Sequence, residues 1–120
     1  MAAFRYIVHD VDACVPVYRD ILGFEVKMQA AGFAALVRGD LTLFLNQPGM
    51  GSAGKAGGIP EPGGWNRFQI EVSDLDATIK DLKSKGATFK GDIASGAGGR
   101  QILVQDPSGN VVEFFERAAR

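Results

Sequence analysis

Glu113 stands among apolar neighbours in QDPSGNVVEFFE, residues 105 to 116. An acid in such a run needs a partner: a cation, a metal ion or a proton to be moved. Arg67 opens RFQIEV, where Gln69 and Glu71 share its strand parity, and an arginine fork in that place can grip a carboxylate or a phenolate. Arg5 holds a similar place in FRYIV. His9, the single histidine, lies at the rim end of that run; a lone rim histidine is more often a capping group than a proton carrier. Cys14 is also alone, so it can form no disulfide within the chain, and no nearby histidine makes it a nucleophile. GMGSAGKA, residues 49 to 56, contains G-x-G-x-x-G. However, Ala56 lacks the hydroxyl a magnesium–phosphate loop needs, and AGGIPEPGG cannot supply the following helix. It reads as a loop.

The elements that must position these residues occur twice. FRYIV (4 to 8) reads as a strand, Asp10 or Asp12 caps VDACVPVYRDIL, and Gly23 stops that helix, with Pro16 in or just past its first turn. Three strands follow: EVKMQ (25 to 29), FAALV (33 to 37) and LTLFLN (41 to 46). From residue 67 the order repeats. RFQIEV is a strand, SDLDATIKDLKSK a helix capped by Ser73 or Asp74 and stopped by Gly86, and TFKGD, QILVQ and VVEFFE are strands. Aligning Asp10 on Asp74 sets Phe4 on Phe68 and Val8 on Val72, the mark of duplicated modules. Residues 1–46 form module 1, 65–120 form module 2, and the Gly/Pro-rich segment 47–64 is a linker or a loop over a site. Gly96 to Arg100 carries no readable structure.

Strand alternation then predicts the cleft. Phe68, Ile70 and Val72 face helices while Arg67, Gln69 and Glu71 face outward, and Leu41, Leu43 and Leu45 alternate with Thr42, Phe44 and Asn46. One face of each sheet is thus polar and aromatic, the description of a binding cleft.

Composition sets the bounds. A chain of 120 residues, 46% hydrophobic and 22% charged, is ordinary for one globular domain. The net charge of −1, without runs of either sign, gives no footprint for nucleic acid or an anionic membrane. No apolar run approaches a membrane span or a leader, so the expectation is a cytoplasmic protein.

Taken together, the two βαβββ modules, DVDACVPVYRDILGF, VSDLDATIKDLKSKGA and DPSGNVVEF resemble the vicinal oxygen chelate superfamily, which includes glyoxalase I, bleomycin-resistance proteins and extradiol dioxygenases. The resemblance implies an α+β fold with a cupped mixed sheet, and a homodimer. In metal-using members four positions on the first and fourth strands of the modules hold the ion. Counting seven residues back from each capping Asp gives Ala3 and Arg67; the third position falls near Thr42 or Phe44; only Glu113 matches.

One donor in four does not hold a divalent ion, so no metal and no other cofactor is expected, and true glyoxalase I activity is not. The resemblance also implies that Arg67 and Glu113 face each other on neighbouring strands. The expected ligand-binding set is Arg5, Thr42, Phe44, Asn46, Trp65, Arg67, Gln69, Glu71, Arg100, Glu113 and Phe115, holding a small organic molecule. Trp65 stands at the cavity mouth and Arg100 at the rim. The leading expectation is a binding or sequestering protein. The alternative is an enzyme of lyase, isomerase or dioxygenase type, either metal-dependent or using Glu113 as catalytic base with Arg67 stabilising negative charge.

Overall fold

The computed structural model describes residues 2–50 and 53–119; Gly51 and Ser52 of the GMGSAGKA stretch lie outside the described residues. Module 1 runs β1 (Ala3–Ile7), α1 (Val11–Pro16), a π turn (Val17–Ile21), β2 (Glu25–Ala30), β3 (Phe33–Arg38) and β4 (Leu41–Asn46). Module 2 runs β5 (Gln69–Glu71), α2 (Leu75–Ser84), β6 (Thr88–Phe89), β7 (Ala94–Gly96), β8 (Gly99–Gln105) and β9 (Val111–Arg117). The repeated order is therefore present, with β7 added to the second copy. The strands form two mixed sheets ordered β1-β4-β3-β2 and β5-β9-β8-β6, and β7 pairs with β8. In each, the first strand lies parallel to the last and the remaining pairs are antiparallel. Among the described residues no helix is long and apolar enough to cross a membrane.

The caps fall where the repeat places them. Asp10 accepts from the Asp12 N–H and Asp74 from the Ala77 N–H, satisfying donors that the first helical turn leaves unpaired. Gly23 and Gly86 end the helical segments at φ 80 and 84, a left-handed conformation that glycine adopts without strain. Pro16 lies past the first turn and closes α1; because it brings no N–H to the ladder, the chain continues as a wider π turn.

Other boundaries shift for clear reasons. β5 is shorter than RFQIEV: its ladder with β9 covers only Gln69, Ile70 and Glu71. β2 carries a bulge between Val26 and Met28. The stretch Gly96 to Arg100, unreadable in sequence, is the turn of a hairpin in which Ala94, Ser95 and Gly96 pair with Gln101, Arg100 and Gly99.

The core runs through both modules. Leu43, Leu45, Leu36 and Ala34 are fully buried under module 1, while Ile70, Ile102, Val104, Val112 and Phe114 are buried under module 2. The modules meet through aromatic edges: Phe68 lies 5.7 Å from Phe4, 5.5 Å from Tyr6 and 6.0 Å from Phe24, ring centre to ring centre. Such pairs add roughly 0.5–1.5 kcal/mol each beyond burial.

A buried polar turn completes the seam. The carboxylate of Asp106 accepts from the N–H groups of Ser108 and Asn110, from the Asn110 side-chain amide and from Tyr18 Oη at 2.8 Å. Asn110 also donates to the Ile7 carbonyl, and Ser108 Oγ accepts from the His9 N–H. Tyr6 Oη donates to the Val111 carbonyl. The DPSGN turn of module 2 is thereby bonded into module 1. The linker joins the same knot, since the Gly63 N–H donates to Asn110 Oδ1.

Candidate functional site

The outward faces of the two sheets can be laid out as grids from the registers. In module 1, Ala3 stands opposite Thr42, Arg5 opposite Phe44 and Ile7 opposite Asn46. On the far side of β4, Phe44 faces Ala35 and Asn46 faces Phe33. In module 2, Gln69 stands opposite Glu113 and Glu71 opposite Phe115, and β8 adds Leu103 beside Glu113 and Gln101 beside Phe115. Successive side chains alternate across a strand, so all these odd-numbered β5, β8 and β9 residues share the face turned away from the core residues Ile70, Ile102, Val104, Val112 and Phe114.

On module 2, Glu113 has its carboxylate doubly engaged. Arg67 Nε donates to Oε1 at 2.9 Å and Gln69 Nε2 donates to Oε2 at 2.6 Å. Glu113 is only 6% exposed, and burial without a partner would be costly, so these two donors are what keep an acid in that place. Arg67 also donates from Nη1 to the Trp65 carbonyl. The expected pairing of Arg67 with Glu113 is thus present in the geometry, and Gln69 completes it. Glu71 is held by Arg117 at 2.9 Å. Trp65 is 62% exposed, with the Lys90 ammonium 4.6 Å from its ring centre.

Arg5 does not join this group. Its Nη1 donates to Asn46 Oδ1 at 2.7 Å, and its guanidinium lies 4.9 Å from the centre of the Phe44 ring, a cation–π arrangement. Phe44 in turn stacks on Phe33, 5.8 Å away. Asn46 is anchored from behind by donating to the Met50 carbonyl.

Arg100 is placed apart from both groups. β8 begins two residues earlier than QILVQ suggested, and Arg100 has the parity of Ile102 and Val104. It therefore turns to the helix side of the sheet, where it pairs with Glu116 at 3.2 Å and Asp76 at 3.4 Å. Glu116 also accepts from the Leu75 N–H at the start of α2. The rim role expected of Arg100 does not fit this position. Sequence reasoning also missed Phe33, Gln101, Arg117 and Lys90. Parity alone would have suggested Gln101, which shares its face with Leu103, but the other three depend on cross-strand register or loop path.

The donor set does not fit a divalent metal. The register fixes Phe44 as the counterpart of Glu113, because Arg5 opposite Phe44 repeats Gln69 opposite Glu113. The four positions that would hold an ion then carry a methyl group, a phenyl ring, a guanidinium and one carboxylate whose oxygens are already bonded. A tetrahedral or octahedral site needs three or four neutral or anionic donors. Among the described residues no three His, Cys, Asp or Glu side chains cluster as ligands.

Burial shifts three groups at the seam. It pushes the Cys14 thiol up to about 11, against a stabilising contact from Ser108, and raises the hydroxyls of Tyr6 and Tyr18 well above their ordinary values. Cys14 is thus a protonated core residue near neutral pH.

The family model described as Glyoxalase/Bleomycin resistance protein/Dioxygenase superfamily matches residues 1–114. Comparison with curated proteins gave no match. Among solved structures, the chain is similar to a lactoylglutathione lyase from Agrobacterium tumefaciens, at TM-score 0.77 and 20% identity over 97% of this chain and 92% of that one. It is similar to TnmS3, an antibiotic binding protein from Streptomyces sp. CB03234, at TM-score 0.73 and 23% identity over 97% and 93%. It is also similar to the bleomycin-binding protein of Streptomyces verticillus, complexed with copper(II)-bleomycin, at TM-score 0.69 and 26% identity over 99% and 95%. With the family model spanning both modules and both helix caps, the chain belongs to the Glyoxalase/Bleomycin resistance protein/Dioxygenase superfamily.

Proposed function

We propose that this protein binds a small aromatic molecule carrying an acidic group, without a metal ion, and acts by holding that molecule instead of transforming it. The observation that carries the reading is the state of Glu113: both oxygens are engaged by Arg67 and Gln69. A carboxylate so occupied is a fixed wall of a site, and a base would have to shed both donors before it could take a proton. Arg67 spends Nε and Nη1 on protein acceptors, while Nη2 has none among the described residues. That edge of the guanidinium is the anchor for a ligand carboxylate or phenolate. The Streptomyces structures named above, an antibiotic binding protein and a bleomycin-binding protein, support holding as a function of this architecture.

The proposal includes a homodimer. The chain is elongated, 47 × 28 × 27 Å, and a second copy would cover the apolar Phe33–Phe44 face of module 1. Localisation in the cytoplasm belongs to the same proposal.

Trp65, the only tryptophan, provides the test. Its fluorescence is followed as bleomycin and a set of aromatic acids, including 2-naphthoate, are titrated, with light scattering on the same samples. The expected result is saturable binding by a dimer, recovery of the compound unchanged, and affinity about tenfold weaker in Arg67→Gln. Turnover that disappears in Glu113→Gln would overturn the reading. So would near-stoichiometric binding of Ni(II), Fe(II) or Mn(II) that Glu113→Gln abolishes.

A further inference from the structure

Module 2 has an element that module 1 lacks, the β7–β8 hairpin, and it borders an open cavity of about 360 Å³. Ala94, Gly96, Gly98, Gly99, Gln101 and Phe115 are among its walls. Ala94, Gln101 and Phe115 stand in one row across β7, β8 and β9. That row is the neighbour of the row carrying Glu113, about 7 Å along the strands. The cavity therefore adjoins the Arg67–Glu113–Gln69 group on the same face of the sheet.

Its walls are unusual in chemistry. One is a phenyl ring and the others are largely backbone, because three of the lining residues are glycines. Gly99 is fixed by sterics: a Cβ there would meet the Glu116 carbonyl oxygen at 2.1 Å and Phe115 Cζ at 2.9 Å. Gly96 and Gly98 are different. Neither has a left-handed φ, and a Cβ on either would have nothing within 4 Å. The fold does not require glycine at these two positions, and their missing side chains leave space beside Phe115.

We infer that this glycine-walled hollow is the subsite for the flat ring of the ligand, with the ring lying against Phe115 and the acidic group reaching the Arg67 edge one row away. The inference rests on the binding reading above and specifies its ligand class: a fused or extended planar arene whose acid lies about 7 Å from the ring seated on Phe115. Gln101, in the same row, supplies an amide for a ring substituent. Glu71, opposite Phe115 and tied to Arg117, closes the row on the β5 side and disfavours a second negative charge at that end.

The experiment compares 2-naphthoate with its saturated counterpart, decahydro-2-naphthoate, on the parent chain and on Gly96→Leu and Gly98→Leu. The expected result is a preference of about tenfold for the flat ring in the parent chain. Loss of a similar size is expected in at least one leucine variant, with melting temperatures kept near the parental value. If the parent chain binds both acids equally, or both folded leucine variants bind 2-naphthoate like the parent while Arg67→Gln does not, the subsite is wrong and the binding reading stands. If the parent chain binds neither these acids nor bleomycin, the binding reading itself fails. Should both leucine variants be unable to fold, the comparison of flat and saturated rings in the parent chain decides the matter.

Discussion

The two modules share a four-strand order, with β7 added in module 2, yet an arginine is engaged differently on each. In module 1 the residue opposite Arg5 is Phe44, and the guanidinium lies on its ring and on the Asn46 amide. In module 2 the corresponding position is Glu113, and Arg67 binds a buried carboxylate. Three exchanges on a duplicated backbone, Ala3 for Arg67, Arg5 for Gln69 and Phe44 for Glu113, therefore make one face aromatic and the other polar. The turns before these strands diverge just as far: Asp106 to Asn110 is locked into the other module, whereas Gly39 and Asp40 are exposed. Duplication supplied the scaffold, and the differences between copies carry the chemistry.

The largest effect should come from breaking the contrast between turns. Asp106→Ala leaves four donors without their acceptor and should cost about 3 kcal/mol or more in denaturant unfolding. Asp40→Ala should stay within about 0.5 kcal/mol. Equal losses at the two sites would show that the buried turn is not what joins the modules.

The contrast between faces should give a smaller effect. Glu113→Ala, which strands Arg67 and Gln69, is expected to cost about 2 kcal/mol. Phe44→Ala, on a half-buried ring, should cost about 1 kcal/mol. The comparison is sharpened by Phe44→Glu, which places a carboxylate opposite Arg5 where module 2 sets Glu113 opposite Gln69; if that variant is less stable than Phe44→Ala, register alone does not make the positions equivalent.

The mildest effect concerns pH. Folding raises the Cys14 thiol from 9.0 to about 11, so the folded state holds that proton more tightly than the unfolded chain does. This contribution is complete below about pH 9 and is lost as pH climbs toward 11, with Tyr6 and Tyr18 acting in the same direction at higher pH. The melting temperature should decline gradually across that window. Cys14→Ala should flatten the early part of the decline; an unchanged slope would remove the thiol as its cause.

Much of the fold was legible because its signals are local. Asp10 and Asp74 announce helix starts, Gly23 and Gly86 announce stops, and LTLFLN reads as a strand from alternation alone. The pairing of Arg67 with Glu113 was legible at one remove, through the repeat and the family resemblance. What escaped depends on geometry between distant segments. Arg100 was misplaced because β8 extends back to Gly99, where pairing with Arg117 on β9 continues the ladder, and no residue in SGAGGR signals that. The stacking of Phe33 on Phe44 required the β3–β4 register. The bond from Tyr18 to Asp106 spans 88 positions, and nothing in either neighbourhood names the other.

The π turn after Pro16 has a consequence for the history of the chain. One residue more lies between Asp10 and Gly23 than between Asp74 and Gly86, and the wide turn Val17–Ile21 takes up that surplus without moving either landmark. The modules thus differ by one residue here, and module 1 accommodates the longer spacing by widening its helix instead of lengthening it. A deletion of one residue between Asp10 and Tyr18 would turn Tyr18 by about 100° about the helix axis relative to that cap. Tyr18 would swing away from Asp106, so the extra residue, once accommodated, became hard to lose.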